Sequence, residues 1–515
     1  MQGKKHYQEK LFANFQLSDR VPKENFYRRL TEVLDLKFLY SLTERYYGCC
    51  GQKSIDPVVF YKLCLVGYLE NIISDRQLIE HCSMRMDILY FLGYDIDEPL
   101  PWHSTISRTR QLYDEDVFDQ VFTRVLTLCV EKGMVSGHTQ VIDSAPVKAN
   151  ASMDSLELKV PEEELGDHLR KIRHANPIDL PRRQAKEDKS DDDQRTLRAT
   201  DSDLKAIKNR NKNWRNQSGD RPGHNRKGSK YTSNKTHYSP TDPDARISVK
   251  PGKARKLNYL SQMSVDTANH VITDIGADFA DQKDRQHLQK ITLRLRDRLN
   301  KEGVLMQNVL ADAGYSSGEN YAFFEELGLS SYIPPHGQYK GGPKGFVYHS
   351  QGDYWECSEG KEVKHHKVFF DKGVKKNRYT TKRADCKDCP IKTKCLGKGH
   401  SKRIDITYYK AEYDRGIARL KTKQGRRFKY IRSSTVEPVF GSLTQFFGMR
   451  KVNTIGLKQA NKVMMMAGTA YNLKKYLNFI DKKVKCKVEE VKTSVNHFFA
   501  AMKGEKRMFK TPKFC

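Results

Sequence analysis

Gln140–Ala145 reads QVIDSA and Asn308–Ala313 reads NVLADA, two versions of one pattern in which a short aliphatic run ends in a single aspartate. A buried strand that delivers a carboxylate to its exposed tip has this form. Two such carboxylates on neighbouring strands, with a third from elsewhere, can hold two magnesium ions. Magnesium prefers hard oxygen ligands and keeps positions open for phosphate and water. The chain carries a formal net charge of +29 over 515 residues, so the expected substrate of that metal chemistry is a nucleic-acid backbone.

Composition sets the frame. The length allows two to four domains, and an apolar fraction of 37% is low without reaching the disordered range. A solvated basic surface with no partner is the bland alternative to polyanion binding. No apolar run approaches the roughly 18–20 residues that span a bilayer, and the opening MQGKKHY leads into no signal-peptide core. The expectation is a cytoplasmic, nucleoid-associated protein with no membrane partner.

Most cysteines are scattered: Cys49, Cys50, Cys64, Cys82, Cys129, Cys486 and Cys515 read as reduced small residues, several inside apolar helical patterns. Cys386, Cys389 and Cys395 differ, since they are closely spaced in a loop-like stretch with Cys357 upstream as a fourth candidate ligand. Zinc shared by these thiolates would staple a region too polar to build its own core; free thiols and a redox disulfide are the competing readings.

Residues 1–135 read as a helical domain. Asp56-Pro57 pairs a capping aspartate with proline at the first helical position, and later helices open near Ser74-Asp75 and Ser104-Thr105. Ser104–Arg110, with Arg108 and Arg110 expected to be exposed, is the candidate tip of a helix-turn-helix DNA reader; a plain helical packing domain fits the pattern equally. Strand logic begins near Thr139 and is interrupted over about 158–240. There the runs Lys186–Asp193, Lys205–Lys212 and Arg221–Lys235 leave too little apolar surface to fold alone, and Glu162–Ile172 is the one helical pattern.

Order resumes with a hairpin, Leu257–Asp266 and His270–Ala277. Then come a helix over Asp284–Leu299, a strand over Gln307–Asp312, a helix over Ser317–Leu327 and a strand over Ser331–Pro334. A second polar, cysteine-bearing insertion covers about 336–425, followed by helices near Arg432–Phe447 and Leu457–Leu473 and a basic tail, 481–515, expected to be loosely held. Stripped of both insertions, the order is that of an α/β, RNase H-like fold: a mixed five-stranded sheet flanked by helices, here spanning 136–480. Its first and fourth strands are neighbours, so Asp143 and Asp312 are expected to meet. Glu437 lies among Val436, Val439 and Phe440, where an acid is costly to bury unless paired or metal-bound. The bland readings are a turn aspartate for Asp143, a helix cap for Asp312 and a surface glutamate for Glu437.

The segments VIDSAPVKANA (Val141–Ala151), TDPDAR (Thr241–Arg246), NVLADAGYS (Asn308–Ser316) and VEPVFGSLTQFFG (Val436–Gly448) resemble those of DDE transposases of bacterial insertion sequences. Ile55–Arg110 resembles the helical domain that precedes the catalytic domain in that group. The resemblance implies that Asp143, Asp312 and Glu437 are the magnesium-binding triad. It further implies cleavage at the ends of a mobile element, strand transfer into target DNA, and action on terminal inverted repeats as a homodimer or larger assembly. Many relatives place a tyrosine seven positions before the glutamate, an arginine four before and a lysine seven after. Tyr430 fits, whereas Ser433 and Thr444 stand in the other two places. Arg432, Arg450 and Lys451 are the cations that can substitute, and Lys148 and Arg108 join them as candidate DNA contacts. A DNA-binding regulator derived from a transposase and a structure-selective nuclease are the alternative functions.

Overall fold

The computed structural model describes residues 16–48, 54–158, 233–235, 237–248, 254–337, 339, 341–371 and 373–505, and over 482–505 the backbone alone. The Glu162–Ile172 pattern, the runs Lys186–Asp193 and Lys205–Lys212, most of Arg221–Lys235, and Cys49, Cys50 and Cys515 lie outside the described residues. The chain divides into two compact units, whose described residues run up to Met134 and from Ser442 onward in the first, and from Val135 to Gly441 in the second.

The first unit is helical: α1 (Leu17–Arg20), α2 (Phe26–Val33), α3 (Phe38–Thr43), α4 (Pro57–Leu69), α5 (Asp75–Ser83), α6 (Met86–Leu92), α7 (His103–Leu112) and α8 (Glu115–Glu131). The local signals act as read. Asp56 accepts the Val58 and Val59 amides at 2.7 and 3.2 Å, Ser74 caps α5, and Gly93 closes α6 in the left-handed region at φ 86°. The sequence reading runs the second domain on to residue 480, but Ser442 onward belongs with the helices. The last helix, which we number α14 (Leu457–Glu505), packs against α8 and α4 and buries Val463, Met464, Met466, Ala467, Ala470 and Leu473. Apolar residues all round that stretch need cover on every side, which neighbouring helices supply. The helical backbone also continues to Glu505, well past the expected end near Leu473 and through much of the tail read as loose.

The second unit holds a six-stranded sheet. Its strands are β1 (Thr139–Lys148), β4 (Arg246–Ser248), β5 (Lys256–Asp266), β6 (Ile272–Phe279), β7 (Asn308–Leu310) and β8 (Ser330–Tyr332), in the order β4-β5-β1-β7-β8 with β6 also on β5. The hairpin β5–β6 and the β1–β5 pair are antiparallel; β1–β7 and β7–β8 are parallel. The expected first-to-fourth neighbouring is therefore present, and β4 is an addition that shares the outer edge of β5 with β6. Arg246 in TDPDAR lies over Phe279, and Asp242 accepts the Tyr259 hydroxyl at 2.6 Å, so that motif fastens the sheet edge. Helices α9 (Asp284–Lys301) and α10 (Gly318–Glu326) follow β6 and β7. Two short strands, β2 (Glu157–Leu158) and β3 (His237–Tyr238), pair antiparallel where the chain leaves and re-enters the described fold, as an insertion with adjacent ends requires.

The region 336–425 is not a coreless polar insertion. Strands β9 (Phe346–His349), β10 (Tyr354–Cys357), β11 (Glu362–Asp371), β12 (Val374–Thr380) and β13 (Arg403–Thr407) form an antiparallel sheet in the order β13-β12-β11-β10-β9. Trp355, Val363, Tyr379 and Ile404 make its core, with Phe346, Tyr348 and Ile406 packed against them. Alternation puts these few apolar residues on one face, so a polar composition still yields a core. The short α11 (Lys392–Leu396) precedes β13, and α12 (Lys410–Lys421) and α13 (Lys423–Phe446) follow it. Among the described residues no helix is long and apolar enough to cross a membrane.

Candidate functional site

The parallel register of β1 and β7 pairs Thr139 with Asn308, Gln140 with Val309 and Val141 with Leu310. Asp143 lies two residues further along β1 and Asp312 two residues past the end of β7, near enough for Asp312 to raise the affinity of Asp143 for a proton. Asp312 then caps the turn Ala313–Tyr315, its Oδ1 accepting the Gly314 amide at 2.8 Å. Asp143 Oδ1 accepts the Ser144 amide at 2.8 Å, and its Oδ2 accepts Nη1 of Arg432 at 3.2 Å.

A third acid enters from a position the sequence reading treated only as a helix start. Asp284, first residue of α9, accepts the Ser144 hydroxyl at 2.6 Å. A methyl group at Gly314 would sit 3.0 Å from Asp312 Oδ1 and 3.1 Å from Asp284 Oδ2, so both carboxylates press on this one backbone position. The signal that could have found Asp284 is the one that found Asp312: an acid at the junction between a buried strand and the next helix.

Burial pushes the Asp143 carboxyl up to about 6; the Ser144 amide opposes the rise, Asp312 adds to it, Arg432 opposes it and Asp284 adds again. Tyr315, buried beneath these acids, is held well above the ordinary phenol range by burial and then by Asp284 and Asp143, and its hydroxyl donates to Gln262 at 2.8 Å. Asp312 and Asp284 both raise the affinity of Asp143 for a proton, and a divalent cation with a preference for hard oxygen ligands relieves the same repulsion at Asp143. The carboxylate oxygens of Asp143 and Asp312 are the hard donors magnesium prefers. Gly314→Ala should weaken magnesium affinity about tenfold by displacing the Asp312 carboxylate a few tenths of an ångström. Isothermal titration with magnesium checks it, and an unchanged affinity would show that the Asp312 oxygen is not shared with the ion.

Glu437 is placed otherwise than expected. It is exposed on α13, while Val436 and Val439 are buried. At about 100° per residue, Glu437 lies about 140° around the helix from Arg432, the residue that faces Asp143. Among the described residues no group of three or more His, Cys, Asp or Glu side chains is arranged to hold a metal ion, so Asp143, Asp312 and Glu437 are not gathered in this arrangement. The same holds for the cysteines. Cys357, Cys386, Cys389 and Cys395 are free thiols, and Cys386 is buried with its Sγ 3.2 Å from Thr381 Oγ1. The sheet's own core does the stapling for which zinc was invoked.

Of the candidate DNA contacts, Arg108, Lys148 and Arg450 are exposed, Lys451 is half-buried, and Arg432 is turned toward Asp143. Arg110 is a correction. It is buried, and its guanidinium is held by both Asp75 oxygens at 2.7 and 2.9 Å, because the last turn of α7 directs it at the start of α5.

Two family models match the chain: a transposase domain (DUF772) over residues 15–112 and a transposase DDE domain over residues 356–477. The second covers the glutamate-bearing helix, whereas Asp143 and Asp312 fall between the two matches. The comparison with curated proteins gives no match. Among solved structures the chain is similar to a Mos1 transposase paired-end complex with left transposon end, at 10% identity over 61% of this chain and 73% of that chain. The TM-score is 0.15, too low to bear on the fold.

Proposed function

We propose, on the premise that the chain is a transposase of the DDE kind, matched by a transposase domain and by a transposase DDE domain, that it cuts and joins DNA at the ends of a mobile element by magnesium-dependent phosphoryl transfer on an RNase H-like sheet. The observation that supports this reading is the parallel pairing of β1 with β7, with Asp143 two residues beyond the last pair on β1 and Asp312 two residues past the end of β7. The order β6-β5-β1-β7-β8, antiparallel and then parallel, supports the choice of fold.

In this proposal Asp143 and Asp312 hold two magnesium ions with Glu437 as the third acid. Bound magnesium supplies a Lewis acid that makes water or a 3′-hydroxyl nucleophilic and neutralises the leaving oxygen. Pairing of β1 with β5 keeps Asp143 in place and the Ala313–Tyr315 turn keeps Asp312 in place, and Ser144 and Ala145 are small enough for a phosphodiester to come close. Asp284 acts as a positioning residue through the Ser144 hydroxyl. Arg432 neutralises Asp143 in the metal-free arrangement. Recognition of terminal inverted repeats is assigned to the helical unit through Arg108, with Lys148, Arg450 and Lys451 as backbone contacts, and paired ends imply a homodimer or larger assembly.

The test uses labelled element ends with and without magnesium. Cleavage followed by joining to a second duplex is the expected result. Cutting without joining would identify a nuclease, and binding that ignores magnesium would identify a regulator; either outcome ends the proposal.

A further inference from the structure

From Arg415 to Val436 the sequence contains no acid, while Arg415, Arg419, Lys421, Lys423, Arg426, Arg427, Lys429 and Arg432 supply eight cations. The structure divides them sharply. Arg415 is paired with Glu325 at 2.6 Å and with Glu412 at 3.2 Å, and Arg419 with Glu325 at 3.7 Å, so these two arginines of α12 are neutralised within the fold. Arg432 is paired with Asp143. Lys423, Arg426, Arg427 and Lys429 are exposed, and among the described residues none has an ion pair. Leaving adjacent cations unpaired costs self-repulsion, which a surface shaped only for stability would reduce by interspersing acids.

Helical geometry says where they point. With about 100° per residue, Lys423, Arg426 and Arg427 lie about 120° to 180° around α13 from Arg432, on the face that also carries the exposed Glu437. The opposite face is the packed one: Gly425, Thr435, Val436 and Val439 are buried there beside Arg432. A methyl group at Gly425 would lie 2.5 Å from the Arg419 carbonyl oxygen, so the start of α13 is tight against the end of α12 and the stripe has a fixed base.

We propose that the outer stripe of α13, Lys423, Arg426 and Arg427, is a binding surface for the phosphate backbone of duplex DNA, distinct from the phosphodiester handled at Asp143. The charge is of the right sign and density, the residues are free to contact it, and their orientation away from Asp143 assigns them a separate stretch of duplex. Such contacts carry affinity without sequence preference. The inference rests on the DNA-transacting reading above but requires neither magnesium nor cleavage.

The test is the salt dependence of binding to a mixed-sequence duplex in metal-free buffer, for the full chain and for a Lys423→Gln, Arg426→Gln, Arg427→Gln triple variant. A control with equal charge change, Lys361→Gln, Lys382→Gln, Lys398→Gln, lies on the exposed surface of the β9–β13 region. With about 0.9 of logarithmic slope per phosphate contact, three contacts lower the slope by about 2.7, so a fourfold rise in salt should weaken the parent about 40-fold more than the variant. Parent-like slopes for the control and a reduced slope for the stripe variant support the surface. Equal slopes for the two triple variants overturn it while leaving the catalytic reading intact, since Asp143→Asn tests that separately. Absence of duplex binding by the parent overturns both.

Discussion

Asp143→Asn is expected to abolish DNA cleavage and, in metal-free buffer near neutral pH, to make the protein more stable. Loss of a ligand that sets several kcal/mol of transition-state charge stabilisation corresponds to a fall on the order of 10³-fold in rate. The stability effect has the opposite sign because the folded protein holds this carboxyl at about 6, above an unfolded value of about 3.9. The ionised form is then disfavoured in the folded state. The penalty is absent below about pH 4, grows as pH rises through about 6, and is complete above it. A displacement of about two pH units at about 1.4 kcal/mol each gives an upper figure of about 3 kcal/mol for a side chain that is 19% exposed. Denaturant unfolding at about pH 8 and about pH 4 checks it: the variant should gain stability only at the higher pH. A variant less stable than the parent at about pH 8 would contradict the buried, repelled state of Asp143. Glu437→Gln provides the contrast. As an exposed helix residue it should change stability by less than about 0.5 kcal/mol while cleavage is lost, and retained cleavage would remove Glu437 from the proposed triad.

Arg110→Met should destabilise the helical unit by about 3 kcal/mol, because it strands the half-buried Asp75 carboxylate without its guanidinium. The two side chains are 10% and 17% exposed, so water replaces little of what is lost. On the order of 10 °C in Tm follows for a unit of this size. Arg110→Met combined with Asp75→Leu should recover most of the loss, since removing both charges leaves no orphan. Arg108→Gln, two residues earlier and exposed, should leave Tm unchanged and weaken DNA binding instead. A small Tm change in Arg110→Met together with a large loss of DNA affinity would restore Arg110 as a DNA contact.

The contrast between Arg108 and Arg110 shows what a linear pattern contains. Both fall in one short polar stretch, and nothing local distinguishes them. The distinguishing partner, Asp75, lies on another helix, and only packing of α7 against α5 brings the two together. Cysteine spacing misled for a related reason. Trp355, Val363, Tyr379 and Ile404 are thinly spread in sequence, yet strand alternation and antiparallel pairing concentrate them on one face.

The strands that carry or precede Asp143 and Asp312 were legible because a short aliphatic run interrupted by an acid needs no partner to be recognised, whereas the continuation of β1 past Asp143 to Lys148 was not. Glu437 was legible as a helix residue, but its orientation was not. Start and register of α13 depend on its junction with α12, and the helix begins nine residues before the expected Arg432.

By itself, the sequence determined the order of the main strands and helices outside 336–425, several helix caps, the two aspartates that follow aliphatic runs and the excess positive charge, because each is set by interactions between residues close in the chain or by composition. The tertiary structure alone decided that Asp284 joins the aspartates, that Arg432 rather than Glu437 faces Asp143, that Arg110 is a buried structural cation, and that Lys423, Arg426, Arg427 and Lys429 of α13 have no ion pair among the described residues. These are properties of side-chain direction and of partners far away in sequence, and they come into being only when the elements pack.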